Sequence, residues 1–261
     1  MILIQRADER YPGGDPGAGI DTRHAFSFGR FYDPANLRFG ALLACNEERL
    51  APGAGFDEHP HSHTEIVTWV VEGELTHRDS TGHATVLRPG DLQYLSAASG
   101  VRHTERNDGA APLAFVQMWL APAEAGGEPS YEVVRGAAGG GARGSGPADG
   151  GSAGVLPAEG VPAGAGGGPA VPGEGGAAFS YAVPAAAATL HVHRPAAGDR
   201  VALPDADTLY VHVVRGAVRL ADHDLAPGDA VRATAEKGLT LLATADAETL
   251  VWAMRDTVAQ W

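Results

Sequence analysis

Two short stretches of this chain carry residues that can hold a metal ion. The first is His59-Pro60-His61-Ser62-His63-Thr64-Glu65 and the second is His103-Thr104-Glu105. Six of the eleven histidines fall between residues 59 and 103, so the imidazoles are concentrated rather than scattered. Imidazole and carboxylate together suit borderline transition metals. His59 and His61 are two apart, as are His103 and Glu105. On a strand, residues i and i+2 project from the same face. Two neighbouring strands with this spacing can aim three imidazoles and one carboxylate at a single point. One such pair alone would be weak support, because isolated surface or core histidines are common. Two pairs make a mononuclear metal site the leading expectation.

The elements needed to position these residues are strands. Phe39–Cys45, Glu65–Val71, Leu75–Asp79, Ala84–Leu87, Leu92–Leu95 and Leu113–Leu120 are short apolar or alternating runs rich in β-branched and aromatic residues. Turn sequences such as Glu72-Gly73-Glu74 and Arg88-Pro89-Gly90-Asp91 separate them. Many short strands at this spacing predict an all-β sandwich or barrel. The pattern returns in Thr189–His193, Leu209–Val214, Val218–Leu220, Leu239–Leu242 and Thr249–Ala253. Val70-Val71-Glu72-Gly73 matches Val213-Val214-Arg215-Gly216, and Leu87-Arg88-Pro89-Gly90-Asp91 matches Leu225-Ala226-Pro227-Gly228-Asp229. These pairs indicate an internal duplication. Three regions are expected: an N-terminal metal-binding domain over residues 1–135, a linker or insertion over 136–178, and a C-terminal domain over 179–261. Of the 43 residues in 136–178, 17 are Gly and 11 are Ala, too few apolar side chains to offset the entropy of ordering.

Composition narrows the function classes. The 261 residues, 44% hydrophobic, are ample for a buried core. A net charge of −13 disfavours direct nucleic-acid binding and a polybasic membrane contact. The opening Met1-Ile2-Leu3-Ile4-Gln5-Arg6 has no leader pattern, and no apolar run is long enough to span a bilayer. Cys45 is the only cysteine, which rules out an intramolecular disulfide and a thiolate-rich metal site. A cytoplasmic monomer is expected, with Cys45 as a small core residue.

The residues around the histidines follow the cupin pattern: Gly53-x5-His59-x-His61-x3-Glu65-x7-Gly73, then Pro89-Gly90-Asp91 and Gly100-x2-His103-x3-Asn107. More narrowly, the N-terminal half resembles the pirin family. The matching text is Phe56-Asp57-Glu58-His59-Pro60-His61, Pro89-Gly90-Asp91-Leu92-Gln93 and Gly100-Val101-Arg102-His103-Thr104-Glu105, with His24-Ala25-Phe26-Ser27-Phe28-Gly29 and Phe31-Tyr32-Asp33-Pro34 upstream. The resemblance is specific over residues 20–135 and covers the C-terminal half only as a second, degenerate barrel. It implies a bicupin of two β-barrels. The counterparts of the histidine motifs in the second barrel, Ala202–Thr208 and Glu236–Gly238, hold no histidine. That barrel is therefore expected to be metal-free, with His191, His193 and His212 as strand-face residues.

The resemblance further implies His59, His61, His103 and Glu105 as metal ligands. Most cupins take the carboxylate from the first motif, here Glu65, and pirin-like proteins from the second, here Glu105. The strand parity of His103 and Glu105 favours the latter. His63 has no counterpart and is expected at the surface, behind the ligands, or as an alternative ligand. Iron is the implied metal, with Mn, Ni, Cu and Zn as alternatives. The implied activity is a flavonol 2,3-dioxygenase of the quercetinase type, opening the flavonol ring with dioxygen and releasing carbon monoxide, with Glu105 as general base. Phe56, Trp69, Tyr94, Met118 and Trp119 are candidates for the pocket wall or for plain core. Two other readings stand beside it: an iron-dependent redox regulator that binds a protein partner, and a different reaction on the same scaffold. A deep cavity beside the metal would favour an enzyme.

Overall fold

The computed structural model describes residues 1–136 and 177–255. The expected linker at 136–178 lies almost wholly outside the described residues. In the first half the strands are β1 (Ile2–Gln5), β2 (Tyr11–Asp15), β3 (Ile20–His24), β4 (Leu42–Leu50), β5 (Gly55–His61), β6 (Glu65–Glu72), β7 (Leu75–Asp79), β8 (Ala84–Leu87), β9 (Leu92–Ser96), β10 (Val101–Arg106), β11 (Leu113–Leu120) and β12 (Ser130–Val134). The second half adds β13 (Ala177–Ala182), β14 (Ala188–His193), β15 (Arg200–Ala202), β16 (Thr208–Arg215), β17 (Val218–Leu220), β18 (His223–Leu225), β19 (Ala230–Thr234), β20 (Thr240–Ala243) and β21 (Glu248–Met254). Two short 3-10 turns are the only helical elements among the described residues.

Each half is a large sheet packed on a four-stranded one. The first half pairs β12-β9-β6-β11-β4-β3-β2 with β5-β10-β7-β8. The second pairs β1-β19-β16-β21-β14-β13 with β15-β20-β17-β18. The two orders correspond strand for strand, β3–β11 to β13–β21, so the duplication extends to the whole topology. One edge is exchanged. The place that β12 takes beside β9 is taken in the second half by β1, the first strand of the chain.

The repeated Pro-Gly-Asp turn explains how both edges are held. Asp91 accepts hydrogen bonds from the backbone N–H of Arg88, from the N–H of Gly136 and from the Arg135 guanidinium. Asp229 does the same with the N–H groups of Ala226 and Ala7 and with Arg6. In each half one buried aspartate closes its own turn and pins the chain just after the edge strand.

The large sheets face each other, and their contact is the main core. On β6, Val67 and Trp69 point toward the other half, while Ile66 and Val70 point into their own barrel. β16 behaves alike, with Tyr210 at the contact and Leu209, Val211 and Val213 inside. Buried on both faces, these strands read as unbroken apolar runs rather than alternating ones. Trp69, Tyr94 and Met118, candidates for a pocket wall, meet Phe179, Tyr181 and Trp252 in this core instead. Cys45 is buried in the same cluster. His212 also lies between the halves, against Arg10 and Glu47.

Candidate metal centre

The site sits inside the first barrel, on the four-stranded sheet. β10 pairs with β5 so that His103 lies opposite His59 and Val101 opposite His61. A bulge in β5 then brings Glu105 opposite Phe56. On its other side β10 pairs with β7, which sets Glu105 opposite His77. Alternation places His59, His61, His77, His103 and Glu105 on one face, turned inward. The ring centroids of His59, His61 and His103 are 4.5–4.9 Å apart.

Their donor atoms converge. Those of His59, His61 and His103 lie within 4.8 Å of one another, and a second set within the same limit joins His77, His103 and Glu105. Glu105 is not in the first set; it shares His103 with it and borders the same cavity as His59 and His61. His77 was not singled out in the sequence. It is fully buried, and its Nε2 is 3.1 Å from Asp79 Oδ2.

The chemistry of the donors fits a cation. His59 Nδ1 lies 2.7 Å from the Asp57 carbonyl oxygen, which can only accept, so the proton is on Nδ1 and Nε2 presents a lone pair. That Nε2 is 3.0 Å from His103 Nε2. A contact this short between two ring nitrogens needs a proton or a cation between them. His61 Nε2, His103 Nδ1, His77 Nδ1 and Glu105 Oε1 are buried without a hydrogen-bond partner. Unpaired buried polar atoms are rare and costly, and an ion would relieve those aimed at it. Burial first, then the neighbouring imidazoles, pushes His103 down to about 3 and His61 down to about 4. Both are therefore neutral near pH 7 and offer lone pairs.

Glu105 is held on its other oxygen. Trp119 Nε1 donates to Gln117 Oε1 at 3.0 Å, and Gln117 Nε2 donates to Glu105 Oε2 at 2.7 Å. The indole can only donate, so it fixes which way the Gln117 amide faces. Glu65 is turned the other way. It shares the parity of Val67 and Trp69, and its carboxylate accepts from Tyr94 Oη at 2.5 Å and Ser96 Oγ at 3.1 Å. His63 is exposed, in a turn with φ 53°.

A cavity of about 460 Å³ opens beside these residues. His59, His61 and Glu105 form one end. Phe28, Phe31, Phe56 and Trp119 supply aromatic wall, and Thr22, His24, Asn46, Glu48 and Gln117 supply polar wall. Of the five aromatic and methionine candidates, Phe56 and Trp119 are therefore at the cavity. Sequence reasoning missed the β4 contribution because Asn46-Glu47-Glu48-Arg49 reads as a solvated strand end. In the structure β4 continues to Leu50, and alternation buries Asn46 and Glu48.

Comparison with known proteins places the chain in a family. Residues 6–120 match the family profile described as Pirin, and residues 186–254 match the Quercetinase C-terminal cupin domain. A Mycobacterium tuberculosis relative named "Putative quercetin 2,3-dioxygenase Rv0181c" is 38% identical over 255 residues, 97% of this chain and 95% of its own. The chain belongs to the pirin family. Another relative, quercetin 2,3-dioxygenase of Escherichia coli K12, is 39% identical over 133 residues, 51% of this chain and 57% of its own. The bacterial pirin YhhW from Escherichia coli, solved in complex with nickel(II), superposes with a TM-score of 0.76 at 24% identity, covering 97% of this chain and 99% of its own. Like other pirins, this chain is a bicupin.

Proposed function

We propose that this pirin is a mononuclear metal-dependent dioxygenase acting on flavonols, with His59, His61, His103 and Glu105 as the residues that hold the ion. The observation that carries the reading is a roomy, aromatic-walled cavity that ends on convergent imidazoles. Its volume lies in the range of small-molecule sites. A redox regulator needs no such cavity, and the one present here favours an enzyme. Relatives named for quercetin 2,3-dioxygenase support the same substrate class.

When bound, the ion would supply Lewis acidity toward the flavonol 3-hydroxyl and redox chemistry toward dioxygen. Everything else falls to the chain. Phe28, Phe56 and Trp119 receive the flat rings and keep water from the reacting face. Glu105, a ligand that can detach or shift, would accept the 3-hydroxyl proton on Oε1, the oxygen without a hydrogen-bond partner. Gln117 keeps that carboxylate pointed at the cavity through its bond to Oε2. Ring opening with dioxygen then gives a depside and carbon monoxide. Iron is our first choice, with manganese, nickel, copper and zinc compatible with the same donors. The nickel(II) in the YhhW structure supports a site of this kind in the family.

The test is anaerobic loading with Fe(II), metal quantification, and addition of quercetin and oxygen while following flavonol absorbance and carbon monoxide. Metal-dependent flavonol loss with carbon monoxide release is expected. Stoichiometric metal without turnover would overturn the dioxygenase reading and favour the regulator.

A further inference from the structure

The polar wall of the cavity is built from three strands of the large sheet, opposite the histidines. Thr22 and His24 on β3 lie in register with Glu48 and Asn46 on β4, and Asn46 lies opposite Gln117 on β11. These side chains are tied together in pairs. The Thr22 hydroxyl donates to Glu48 Oε2, and His24 Nδ1 is 3.0 Å from Asn46 Oδ1. The His24 ring stacks on Phe28 at 4.6 Å. Gly13 crosses the same ring so closely that a Cβ there would lie 2.2 Å from His24 Nε2, so a side chain at this position would displace the ring.

Glu48 stands out in this wall. It is 4% exposed, borders the cavity, and has no cation partner among the described residues. Burial pushes its carboxyl up to about 8, against the pull of the Thr22 hydrogen bond and with the help of the Glu105 charge. A neutral carboxylic acid offers one O–H donor together with acceptor capacity. It pairs well with a hydroxyl or a carbonyl and gives nothing special to a cation.

We propose that Glu48, held by Thr22, is a specificity-determining residue that receives a hydroxyl on the part of the substrate remote from the metal. The ligand class is then narrower than flavonols at large: neutral, planar aromatics with one oxygen for the metal end and a further hydroxyl for the β3–β4 wall. This rests on the flavonol reading above, and it assigns to Glu48 no step in the reaction.

The experiment is anaerobic titration of the Fe(II)-loaded protein with quercetin and with 3-hydroxyflavone, which keeps the metal-end hydroxyl and lacks the others. Without oxygen only binding is read. The wild type should hold quercetin more tightly by on the order of tenfold, the scale of a buried hydrogen bond left unmade. Glu48→Ala should bring the two affinities together, chiefly by weakening quercetin, with metal content unchanged. Glu48→Gln, a neutral isostere, should keep the preference. If Glu48→Ala does not fold, Thr22→Val removes the hydroxyl that holds Glu48 and must narrow the preference as well. A preference unchanged in the Ala or Val variant, or an equal loss for both flavonols, overturns the assignment while leaving the flavonol reading standing. Failure of the loaded wild type to bind either flavonol overturns that reading, and the Glu48 assignment with it.

Discussion

The two barrels share a topology and a turn motif and differ in what fills the four-stranded sheet. In the first barrel Glu105 faces His77 across the β10–β7 ladder; in the second, Leu241 faces Leu220 across β20–β17. The same register sets Leu239 and Leu203, joined by a backbone hydrogen bond, where His103 and His59 stand. Leu203, Leu220 and Leu241 are buried among Val211, Val213 and Val251 in one apolar cluster. One scaffold thus accepts either a convergent donor set with unpaired buried atoms or an aliphatic filling. The fold does not determine the chemistry. The first barrel gives up apolar packing at its centre and leaves a cavity; the second keeps the packing and supports its neighbour through the shared core.

The largest effect expected from breaking this contrast is at the histidines. His61→Ala should abolish stoichiometric metal binding, measured as metal content after loading and desalting. Retained binding would sink the ligand assignment. Glu105→Gln comes next. It should keep much of the metal yet lower turnover by on the order of a hundredfold to ten-thousandfold, the usual worth of a positioned base. Full activity in that variant would move the base elsewhere. In the second barrel the expectation reverses. Leu241→Ala should cost about 2–5 kcal/mol in denaturant unfolding while leaving metal affinity as it was. A loss of metal at constant folding would show that the second barrel shapes the site directly.

Much of this is legible in the sequence. Alternation in Leu113–Leu120 and Glu65–Val71, the repeated Gly73 and Gly216 turns and the paired Pro-Gly-Asp motifs are local signals, and local signals define strands and duplication well. His59, His61 and His103 stood out because two-residue spacing is itself a geometric statement on a strand. His77 did not, since its meaning comes from lying opposite Glu105, and register between distant strands is written in no local pattern. Glu48 was hidden for another reason. Charged residues ordinarily mark a solvated strand end, and only the wall of a cavity makes a buried carboxyl without a cation partner useful. The edge exchange of β1 was equally out of reach, since it pairs the first residues of the chain with residues 230–233.

The smallest effect tests that exchange. If Asp91 and Asp229 do the same work, Asp91→Ala and Asp229→Ala should each cost about 2 kcal/mol, as expected for several hydrogen bonds to one carboxylate. The two losses should be of similar size, read by urea unfolding at pH 7. Burial raises the Asp91 pKa, but the Gly136 and Arg88 N–H groups and Arg135 outweigh it, so the folded value lies below the ordinary one. A depressed pKa means that this stabilisation is present above the unfolded value, near 3.9, and is lost as pH falls through the folded value. The difference between wild type and Asp91→Ala should therefore hold from neutral pH down to about 4 and shrink below it. A difference that instead grows on acidification would mean that Asp91 acts through its neutral form, and the shared anchoring role of the two aspartates would be lost with it.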